Sequence, residues 1–459
     1  MDPEYFNHAA LNALVLIKGH LRLGDLVEEG YRVVYETTEA IDRKHGEDLG
    51  LPYFLQAADI STPFINVESM ICVAQSDWER YPKGRIKPGE LLIEVKGKAE
   101  KIAIVPEDFP SNTLVSGTCF KLTAKSEDDH FFMAAFLTCR YGQILKDRLK
   151  SNLLVSYLAK DDLYGLPVPI VSGELKTEIR MVLDQCFTKH RYSAIVMDEA
   201  ESSLIQTLGL ESWRAPEPLS YVWNSKDAFA ADRFDAEYFY PAKIAALEVL
   251  DQLSDCMVGD FFDSVRSLWQ PANGHPLDRV RNYDLTDALS PFLDAHKEAV
   301  SRESIASTKK VILPGDLVVS RLRSYLKEIA IVRPGSDLPM VASTEFIVLR
   351  PKSTALPVEA LLIYLRSSLP QLVFKWSQDG SNHQRFDERE LLNLPVPRAL
   401  IEYANDYVAA VQLMIDARQR AKQLLDAAKR AVEIAIESSE SDALAFLDQT
   451  LAETGEANS

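Results

Sequence analysis

A carboxylate pattern in the first half of the chain has the residue types of a metal-dependent nuclease. Ile93-Glu-Val-Lys96 lies on a predicted strand, and Asp77 precedes Glu94 by seventeen positions. In such sites two carboxylates bind Mg²⁺ and the lysine supports the attacking water. The spacing is permissive and the pattern is frequent in proteins, so nuclease chemistry is one alternative for this segment.

Two polar loops in the second half of the chain offer a different chemistry. Ser320-Arg-Leu-Arg-Ser-Tyr-Leu-Lys327 places Arg321, Arg323 and Lys327 around one turn. A later loop, Lys375-Trp-Ser-Gln-Asp-Gly-Ser-Asn-His-Gln-Arg385, is rich in side chains that can hydrogen-bond base edges. Arginine can fork onto guanine, and asparagine or glutamine onto adenine. The loops predict a DNA-contacting surface, with a solvated polar loop as the alternative for any single residue.

The first half of the chain has a more lysine-rich version of this surface. Lysine supplies a point charge to phosphates more than it discriminates bases, so this half is expected to position DNA more than to specify it. The cations are Lys96, Lys98 and Lys101, which lie around one predicted turn, and Lys146, Arg148 and Lys150 further along the chain.

Sequence signatures of several other chemistries are absent. The chain has no G-x-x-x-x-G-K-[ST], H-E-x-x-H or G-x-S-x-G motif, and no Asn/Asp-Pro-Pro-aromatic motif of adenine methyltransferases. Five widely spaced cysteines without a C-x-x-C pair predict reduced thiols. Lone histidines such as His130 and His190 are interpreted as packing or surface residues. We therefore assign no catalytic residue, metal or cofactor.

The two halves of the chain share five motifs in one order, at offsets between 226 and 235 positions. A Pro-Gly turn before an apolar run is common in proteins, so a single match shows little. The common order of all five motifs indicates an internal repeat. Where the first copy has Glu94 the second has Ser320, which favours a duplicated scaffold over a nuclease site. The pairs are Asp2-Pro-Glu-Tyr-Phe6 with Asp235-Ala-Glu-Tyr-Phe239, Leu23-Gly-Asp-Leu26 with Val258-Gly-Asp-Phe261, Lys87-Pro-Gly-Glu-Leu-Leu92 with Leu313-Pro-Gly-Asp-Leu-Val318, Lys101-Ile-Ala-Ile-Val105 with Glu328-Ile-Ala-Ile-Val332, and Leu166-Pro-Val-Pro169 with Leu394-Pro-Val-Pro397.

Each copy is expected to be an α+β module. The Pro-Gly turn leads into a short β-branched run, a polar hairpin and Ile-Ala-Ile-Val, a pattern typical of antiparallel strands. Residues 131–149 and 358–374 predict helices packed on that sheet. The closing Pro-Val-Pro cannot continue a helix, because proline lacks an N–H and forces the preceding residue into extended geometry.

A long amphipathic helix is predicted after each Pro-Val-Pro, from about Glu174 and from about Leu400. About 35 helical residues would extend about 50 Å, which exceeds the width of a module. Packing of each helix on its own module is one alternative, and an antiparallel coiled coil that separates the modules is the other. The apolar positions are Ile179, Val182, Cys186, Met197, Ala200, Leu204 and Leu208 in the first helix, and Tyr407, Val411, Met414, Leu425, Ala428, Val432 and Ile436 in the second.

Composition limits the class of protein. The 459 residues are 47% apolar, enough for large cores. Since there is no apolar run of about 18 residues and no leader pattern at the N-terminus, we expect a soluble, cytoplasmic protein without membrane partners. The net charge of -18 argues at first against binding phosphates, but half of it lies outside the modules, in residues 170–232 and 398–459.

The duplicated order of motifs resembles the DNA specificity subunits of type I restriction-modification systems. The resemblance spans nearly the whole chain, and it implies two target-recognition domains separated by two antiparallel helices. Each domain would bind one half of a split DNA site. Adenine methyltransferase subunits, with a translocase-nuclease subunit as a further partner, would assemble on a subunit without catalysis of its own. In the family the Gly-containing loop before Leu-Pro-x-Pro lies near DNA, which implies contacts from Asn382, His383, Gln384 and Arg385.

The resulting expectations concern domains and contacts. We expect target-recognition domain 1 at 1–169, a central spacer helix at 170–212, a linker at 213–232, target-recognition domain 2 at 233–397, and a distal spacer helix and tail at 398–451. The expected contacts with double-stranded DNA are Lys96, Lys98, Lys101, Lys150, Arg321, Arg323, Lys327, Lys375, Asn382, His383, Gln384 and Arg385.

The function expected from these features is site-specific DNA binding that directs a methyltransferase or restriction complex. The alternative, motivated by the charge of -18, is a protein-interaction adaptor that has lost DNA binding. Acidic residues of the distal helix and tail are expected to face solvent or partner protein, because DNA would repel them. These are Glu433, Glu437, Glu440 and Asp442.

Overall fold

The chain forms two units, each containing one copy of the repeated motifs. The computed structural model describes residues 7–17, 19–32, 38–150, 157–271, 278–380 and 384–453, so the first motif, 2–6, lies outside the described residues. Unit 1 comprises residues 1–190 and 418–459, and unit 2 comprises residues 191–417. The finer division into five segments stays a prediction.

Unit 1 is built around a four-stranded sheet. Its strands are β1 (His20–Arg22), β2 (Val27–Tyr31), β3 (Tyr53–Leu55), β4 (Ile60–Ser61), β5 (Phe64–Ile65), β6 (Ile71–Cys72), β7 (Leu91–Glu94), β8 (Ile102–Ile104), β9 (Thr113–Val115), β10 (Cys119–Ala124) and β11 (Pro167–Pro169). The order β2-β10-β7-β8 is antiparallel throughout. A second sheet has the order β6-β3-β9.

Unit 2 has two five-stranded sheets. Its strands are β12 (Ser254–Met257), β13 (Phe262–Ser264), β14 (Leu268–Trp269), β15 (Arg279–Tyr283), β16 (Phe292–Leu293), β17 (Val300–Ser301), β18 (Lys309–Ile312), β19 (Leu317–Ser320), β20 (Ile329–Val332), β21 (Met340–Ala342), β22 (Phe346–Pro351) and β23 (Pro395–Pro397). The two orders are β13-β22-β19-β20-β16 and β14-β18-β21-β15-β17.

The central sheets carry the duplication seen in the motifs. The order β2-β10-β7-β8 of unit 1 recurs as β13-β22-β19-β20 in unit 2, where β16 is added parallel to β20. Leu91 pairs with Ile104 in the first sheet, and the corresponding Leu317 pairs with Ile331 in the second. The predicted antiparallel hairpins after the Pro-Gly turns are therefore confirmed.

Helices pack on one face of each central sheet and a second sheet packs on the other. In unit 1, Ile93 shares a core with Phe132 and Phe136, whereas the neighbouring Leu92 belongs to the core under the second sheet. Side chains alternate in this way because successive residues of a strand point to opposite faces. The fold class is α+β, as predicted.

Sixteen α-helices occur within the described ranges, besides short 3-10 helices. They are α1 (His8–Leu16), α2 (Arg43–Asp48), α3 (Gln75–Arg80), α4 (Glu127–Thr138), α5 (Arg140–Arg148), α6 (Lys160–Tyr164), α7 (Gly173–Thr207), α8 (Ser225–Ala231), α9 (Pro241–Leu253), α10 (Val258–Phe261), α11 (Val358–Arg366), α12 (Ser368–Trp376), α13 (Glu388–Leu392), α14 (Arg398–Glu402), α15 (Ala404–Glu437) and α16 (Glu440–Glu453). None of those in the described ranges has the length and apolar character of a membrane span.

The helical stretches 131–149 and 358–374 are each broken into two helices. The breaks fall at Cys139 and Ser367, which have extended ψ angles of 167° and 165°. In unit 2 Pro370 lies in the first turn of α12, where a missing N–H is tolerated. In unit 1 a Cβ added to Gly142 would lie 2.0 Å from the carbonyl oxygen of Phe136, so glycine permits the close turn.

Both Pro-Val-Pro segments form short strands. In unit 1, β11 pairs antiparallel with β1, and in unit 2, β23 pairs antiparallel with β12. Each module is thus closed by a short two-stranded sheet immediately before a helix begins.

The two long helices share a core within each unit. In unit 1, Ile179 and Val182 of α7 belong to the same cluster as Ala428 and Val432 of α15. In unit 2, the later part of α7 and the earlier part of α15 share the other cluster. An antiparallel pair produces this order. The apolar positions predicted for both helices are buried, except Leu208, which is half-buried just beyond the end of α7.

Besides pairing with each other, the long helices contact the modules. In unit 1, Lys176 and Arg180 of α7 pair with Asp129 and Asp128 of α4, at 2.6 and 2.7 Å. Whether the pair separates the modules stays a prediction.

Acidic residues at the end of α15 and the start of α16 make contacts within unit 1. In unit 1, Glu437 accepts a hydrogen bond from Tyr141 and pairs with Arg140, both at 2.8 Å. Glu433 accepts from the N–H of Arg140, and Glu440 from the N–H of Ser172. Glu437 and Asp442 are exposed and Glu433 and Glu440 are half-buried, so the placement of these carboxylates away from DNA stays a prediction.

Candidate nucleic-acid interface

The hairpin between β19 and β20 carries the first group of predicted contacts. Ser324–Leu326 form a 3-10 turn at its tip. Arg323 and Lys327 flank this turn in left-handed backbone conformations, with φ of 44° and 49°. The N–H of Lys327 donates to the carbonyl of Ser324 over 2.8 Å. The tip is therefore a closed turn with basic residues on both sides.

The second predicted loop lies directly beside this hairpin. Asp379 and Arg385 exchange two backbone hydrogen bonds of 2.8 and 3.0 Å, and the N–H of Phe386 donates to the carbonyl of Arg321. Leu322 and Arg385 form an isolated backbone bridge. The structure thus brings together two loops that are distant in sequence.

Residues of this second loop differ in their surroundings. Gln384 is exposed, and Asn382 and His383 lie outside the described residues. Lys375, also exposed, places its ammonium 4.7 Å from the centre of the Trp376 ring. Trp376 in turn stacks on Tyr240 with ring centres 4.0 Å apart.

Arg385 is held in a forked ion pair by Glu345. Its Nε donates to Glu345 Oε2 over 2.8 Å, and one Nη donates to Oε1 over 2.6 Å. Hydrogen bonding to Arg385 lowers the pKa of Glu345, so its carboxylate stays charged at neutral pH. The pair fixes the plane of the guanidinium. Sequence reasoning missed Glu345, because no spacing connects it to a residue forty positions later.

Two further arginines of the hairpin are held less tightly. Arg321 is half-buried, and its Nε lacks a hydrogen-bond partner within the described part of the chain. Arg323 is half exposed, with an Nη 3.7 Å from the buried carboxylate of Glu328. Burial raises the pKa of Glu328. Arg321 and Arg323 are therefore better placed than Arg385 to change partners on binding.

Lys327 is directed toward a long helix. Its ammonium lies 2.9 Å from a carboxylate oxygen of Glu201 in α7, and Arg366 lies 3.2 Å from the other. Arg366 also donates to the carbonyl of Lys327 over 3.0 Å. A phosphate bound by Lys327 would have to compete with Glu201, a residue that the sequence did not connect with this loop.

In unit 1 the predicted lysines surround one hairpin with unequal exposure. Lys98 is exposed, and Lys96 forms a backbone bridge with Tyr157. Lys101 donates from its ammonium to the carbonyl of Ala57 over 2.9 Å. Lys150, further along the chain, pairs with Asp147 at 2.6 Å. Of these lysines Lys98 is the most open to solvent.

The side chain of Lys146 contacts the backbone of the same hairpin from the protein interior. It is fully buried, and its Nζ lies 2.9 Å from the carbonyl of Ala99 and 3.5 Å from that of Glu100. Burial lowers the pKa of Lys146 to about 7. The sequence suggested a phosphate contact at this position, whereas the structure shows an internal support.

The nuclease-like carboxylates have structural contacts. Glu94 is buried and accepts hydrogen bonds from the N–H groups of Glu100 and Lys101, which hold the hairpin closed. Asp77 lies 3.6 Å from Arg80 in the same short helix. Within the described ranges no group of three His, Cys, Asp or Glu residues is arranged to hold a metal ion.

Comparisons with known proteins find likeness in structure. No family model and no curated relative matches the sequence. The chain is similar to the S subunit of a type I restriction-modification system from M. genitalium, with 11% identity over 94% of this chain and 95% of that one, and a TM-score of 0.31. It is also similar to the HsdS subunit from Thermoanaerobacter tengcongensis, with 14% identity over 92% and 97% of the two chains, and a TM-score of 0.27.

A chain from a study of complex assembly and conformational transition in a type I system is 16% identical over 94% and 97% of the two chains, with a TM-score of 0.26. These structures belong to the family that the repeated motifs resemble. With such identities and TM-scores, we base the function proposed below on the residues of this chain.

Proposed function

We propose that this chain is a cytoplasmic DNA-binding specificity subunit that directs a type I-like methyltransferase or restriction complex to a bipartite site. The observation that carries the proposal is the pair of loops in unit 2, where Arg321, Arg323, Gln384 and Arg385 are gathered at one end of a duplicated sheet. Guanidinium and amide groups in such a cluster suit base edges and phosphates.

The two modules supply one contact surface each in this proposal. Residues 1–169 and 233–397 are the recognition domains, residues 170–212 and 398–451 are the spacer helices, and 213–232 is a linker. The proposed DNA contacts are Lys96, Lys98, Lys101 and Lys150 in the first domain, and Arg321, Arg323, Lys327, Lys375, Asn382, His383, Gln384 and Arg385 in the second.

The proposed mechanism is recognition without catalysis by this chain. Phosphate contacts supply affinity and a few base contacts supply specificity. An adenine methyltransferase subunit bound to the chain extracts and methylates the target base, and a translocase-nuclease subunit is a further partner.

The test begins with methylation mapping in cells with and without the gene. We expect a split motif to be methylated only when the gene is present. The complex that co-purifies with the tagged chain should bind a duplex carrying this motif, with affinity that falls as salt rises.

The second candidate is a protein-interaction adaptor that has lost DNA binding. The charge of -18 and the pairing of Arg385 with Glu345 and Lys327 with Glu201 favour it, because paired cations attract phosphate less. An assembled complex with no salt-dependent DNA binding and no associated methylation would support the adaptor and contradict our proposal.

A further inference from the structure

We propose that the ring of Tyr325 stacks on a nucleobase of the half-site bound by unit 2. The inference rests on the proposed function and adds a contact of a different chemical class from the charged and amide groups above. Aromatic rings that stack on bases contribute binding without using a hydrogen-bond code. In a duplex the ring reaches the face of a base by entering a base step, as other wedge side chains do.

The first observation is the position of the ring. Tyr325 is the middle residue of the 3-10 turn at the hairpin tip, and 73% of it is exposed. The flanking Ser324 is buried, so the turn presents the aromatic ring outward. The ring is therefore open to solvent in a turn flanked by two basic residues, Arg323 and Lys327.

The second observation is the backbone that carries the ring. Four non-glycine residues have positive φ within the described ranges, and two of them, Arg323 and Lys327, flank this turn. The left-handed conformation is unfavourable for an L-amino acid, because its Cβ lies too close to the following carbonyl oxygen. Such strain persists only where surrounding contacts over-determine the conformation, and it is concentrated at functional sites.

The third observation is the set of contacts that fixes the turn. Gln378 donates to the hydroxyl of Ser324 over 3.3 Å, and Arg366 donates to the carbonyl of Lys327 over 3.0 Å. The ammonium of Lys327 is anchored on Glu201. The ring therefore projects from a turn fixed on both sides, which reduces the ordering that binding requires.

The hairpin of unit 1 lacks this feature. Between Glu94 and Lys101 it has no aromatic residue, and it exposes Lys98 at the turn. The two hairpins would accordingly make unlike contacts, a stacked base in one half-site and a phosphate in the other. This difference assigns Tyr325 to only one half of a bipartite site.

The test uses the complex that co-purifies with the tagged chain and duplexes carrying the motif found by methylation mapping. Tyr325→Ala should weaken specific binding by about tenfold, as expected for the loss of one stacked base. The salt dependence should stay unchanged, because no charge is lost. Tyr325→Phe should bind within about twofold of the wild type, since the ring is retained.

A direct readout is 2-aminopurine placed in turn at each position of the second half-site. Apart from the adenine that the methyltransferase extracts, the wild-type complex should change the fluorescence at one position, and Tyr325→Ala should abolish only that change. Leu313→Ala is the matched control, because Leu313 is an exposed apolar residue at the Pro-Gly turn, the opposite end of β19. It should bind as the wild type does, and all variants should melt at the wild-type temperature.

Several results would overturn the inference. Wild-type affinity for Tyr325→Ala would exclude a stacking contact, and equal losses in Tyr325→Phe and Tyr325→Ala would assign the effect to the hydroxyl. If Arg321→Ala or Gln384→Ala alters site preference while Tyr325→Ala does not, only the stacking contact fails. If the wild-type complex binds no specific site, the proposed function itself fails.

Discussion

The buried ammonium of Lys146 should make the stability of unit 1 depend on pH. Burial lowers its pKa to about 7, from an ordinary value of about 10.4. Between these values the unfolded chain binds a proton that the folded chain has released, so this group makes folding more favourable as pH rises. Lys146→Met should remove that contribution while retaining a side chain of similar length.

The size of the effect follows from the difference in pKa. A lowering of about three to four units corresponds to about 5 kcal/mol in total, at about 1.4 kcal/mol per unit. Between pH 7 and pH 9 Lys146 should raise the free energy of unfolding by about 2 kcal/mol. Over the first part of this interval the folded protein loses the proton of Lys146, whereas the unfolded chain keeps it. The hydrogen bond to the carbonyl of Ala99 is also lost in the variant, but that loss does not reproduce the pH dependence.

The assay is urea unfolding of both proteins at pH 7 and pH 9. The free energy of unfolding of the wild type minus that of Lys146→Met should rise by about 2 kcal/mol between the two pH values. Lys83→Met, which removes an exposed lysine of the same unit, should track the wild type. Equal pH dependence in the wild type and in Lys146→Met would refute the reasoning, because Lys146 would then titrate near its ordinary value.

Other predictions concern the loops and one glycine. Arg385→Ala should relax discrimination at one base pair by about 1 to 3 kcal/mol, measured by binding of the complex to single-base variants, and an unchanged preference would count against a base contact. Lys327→Ala should reduce the salt slope of DNA binding by about one, and lower stability with an unchanged slope would confine Lys327 to its pair with Glu201. Gly142→Ala should lower the melting temperature, because the new Cβ would lie 2.0 Å from the carbonyl oxygen of Phe136; an unchanged temperature would contradict this close approach.

Periodicity was enough to predict the elements that repeat or alternate. The runs at Leu91 and Leu317 follow turns and become the central strands, and the three-four spacing around Ile179 and Val432 becomes the buried stripe of the long helices. Such patterns depend on residues close in sequence. The break at Cys139 was not predicted, because it depends on how closely α5 must approach the carbonyl of Phe136.

In the candidate site, too, features that depend on neighbouring residues were predictable, and contacts between residues distant in sequence were not. Basic and amide residues in each loop were visible in sequence, and the hairpin and the later loop do lie together through the bridge between Leu322 and Arg385. The partners Glu345 and Glu201 were missed, since they come from a strand end and a helix far along the chain. The ion pairs with Glu345 and Glu201 fix the side chains of Arg385 and Lys327.

The acidic composition of the chain is compatible with DNA binding if internal carboxylates orient cations instead of repelling phosphate. An exposed arginine without a partner samples many rotamers, and it must lose that freedom on binding. Glu345 removes much of this freedom from Arg385 in advance by fixing the guanidinium plane with two hydrogen bonds. The cost is weaker attraction at long range, since the pair is nearly neutral. A recognition loop built in this way has less non-specific affinity but a defined geometry, which suits the site recognition proposed for this chain.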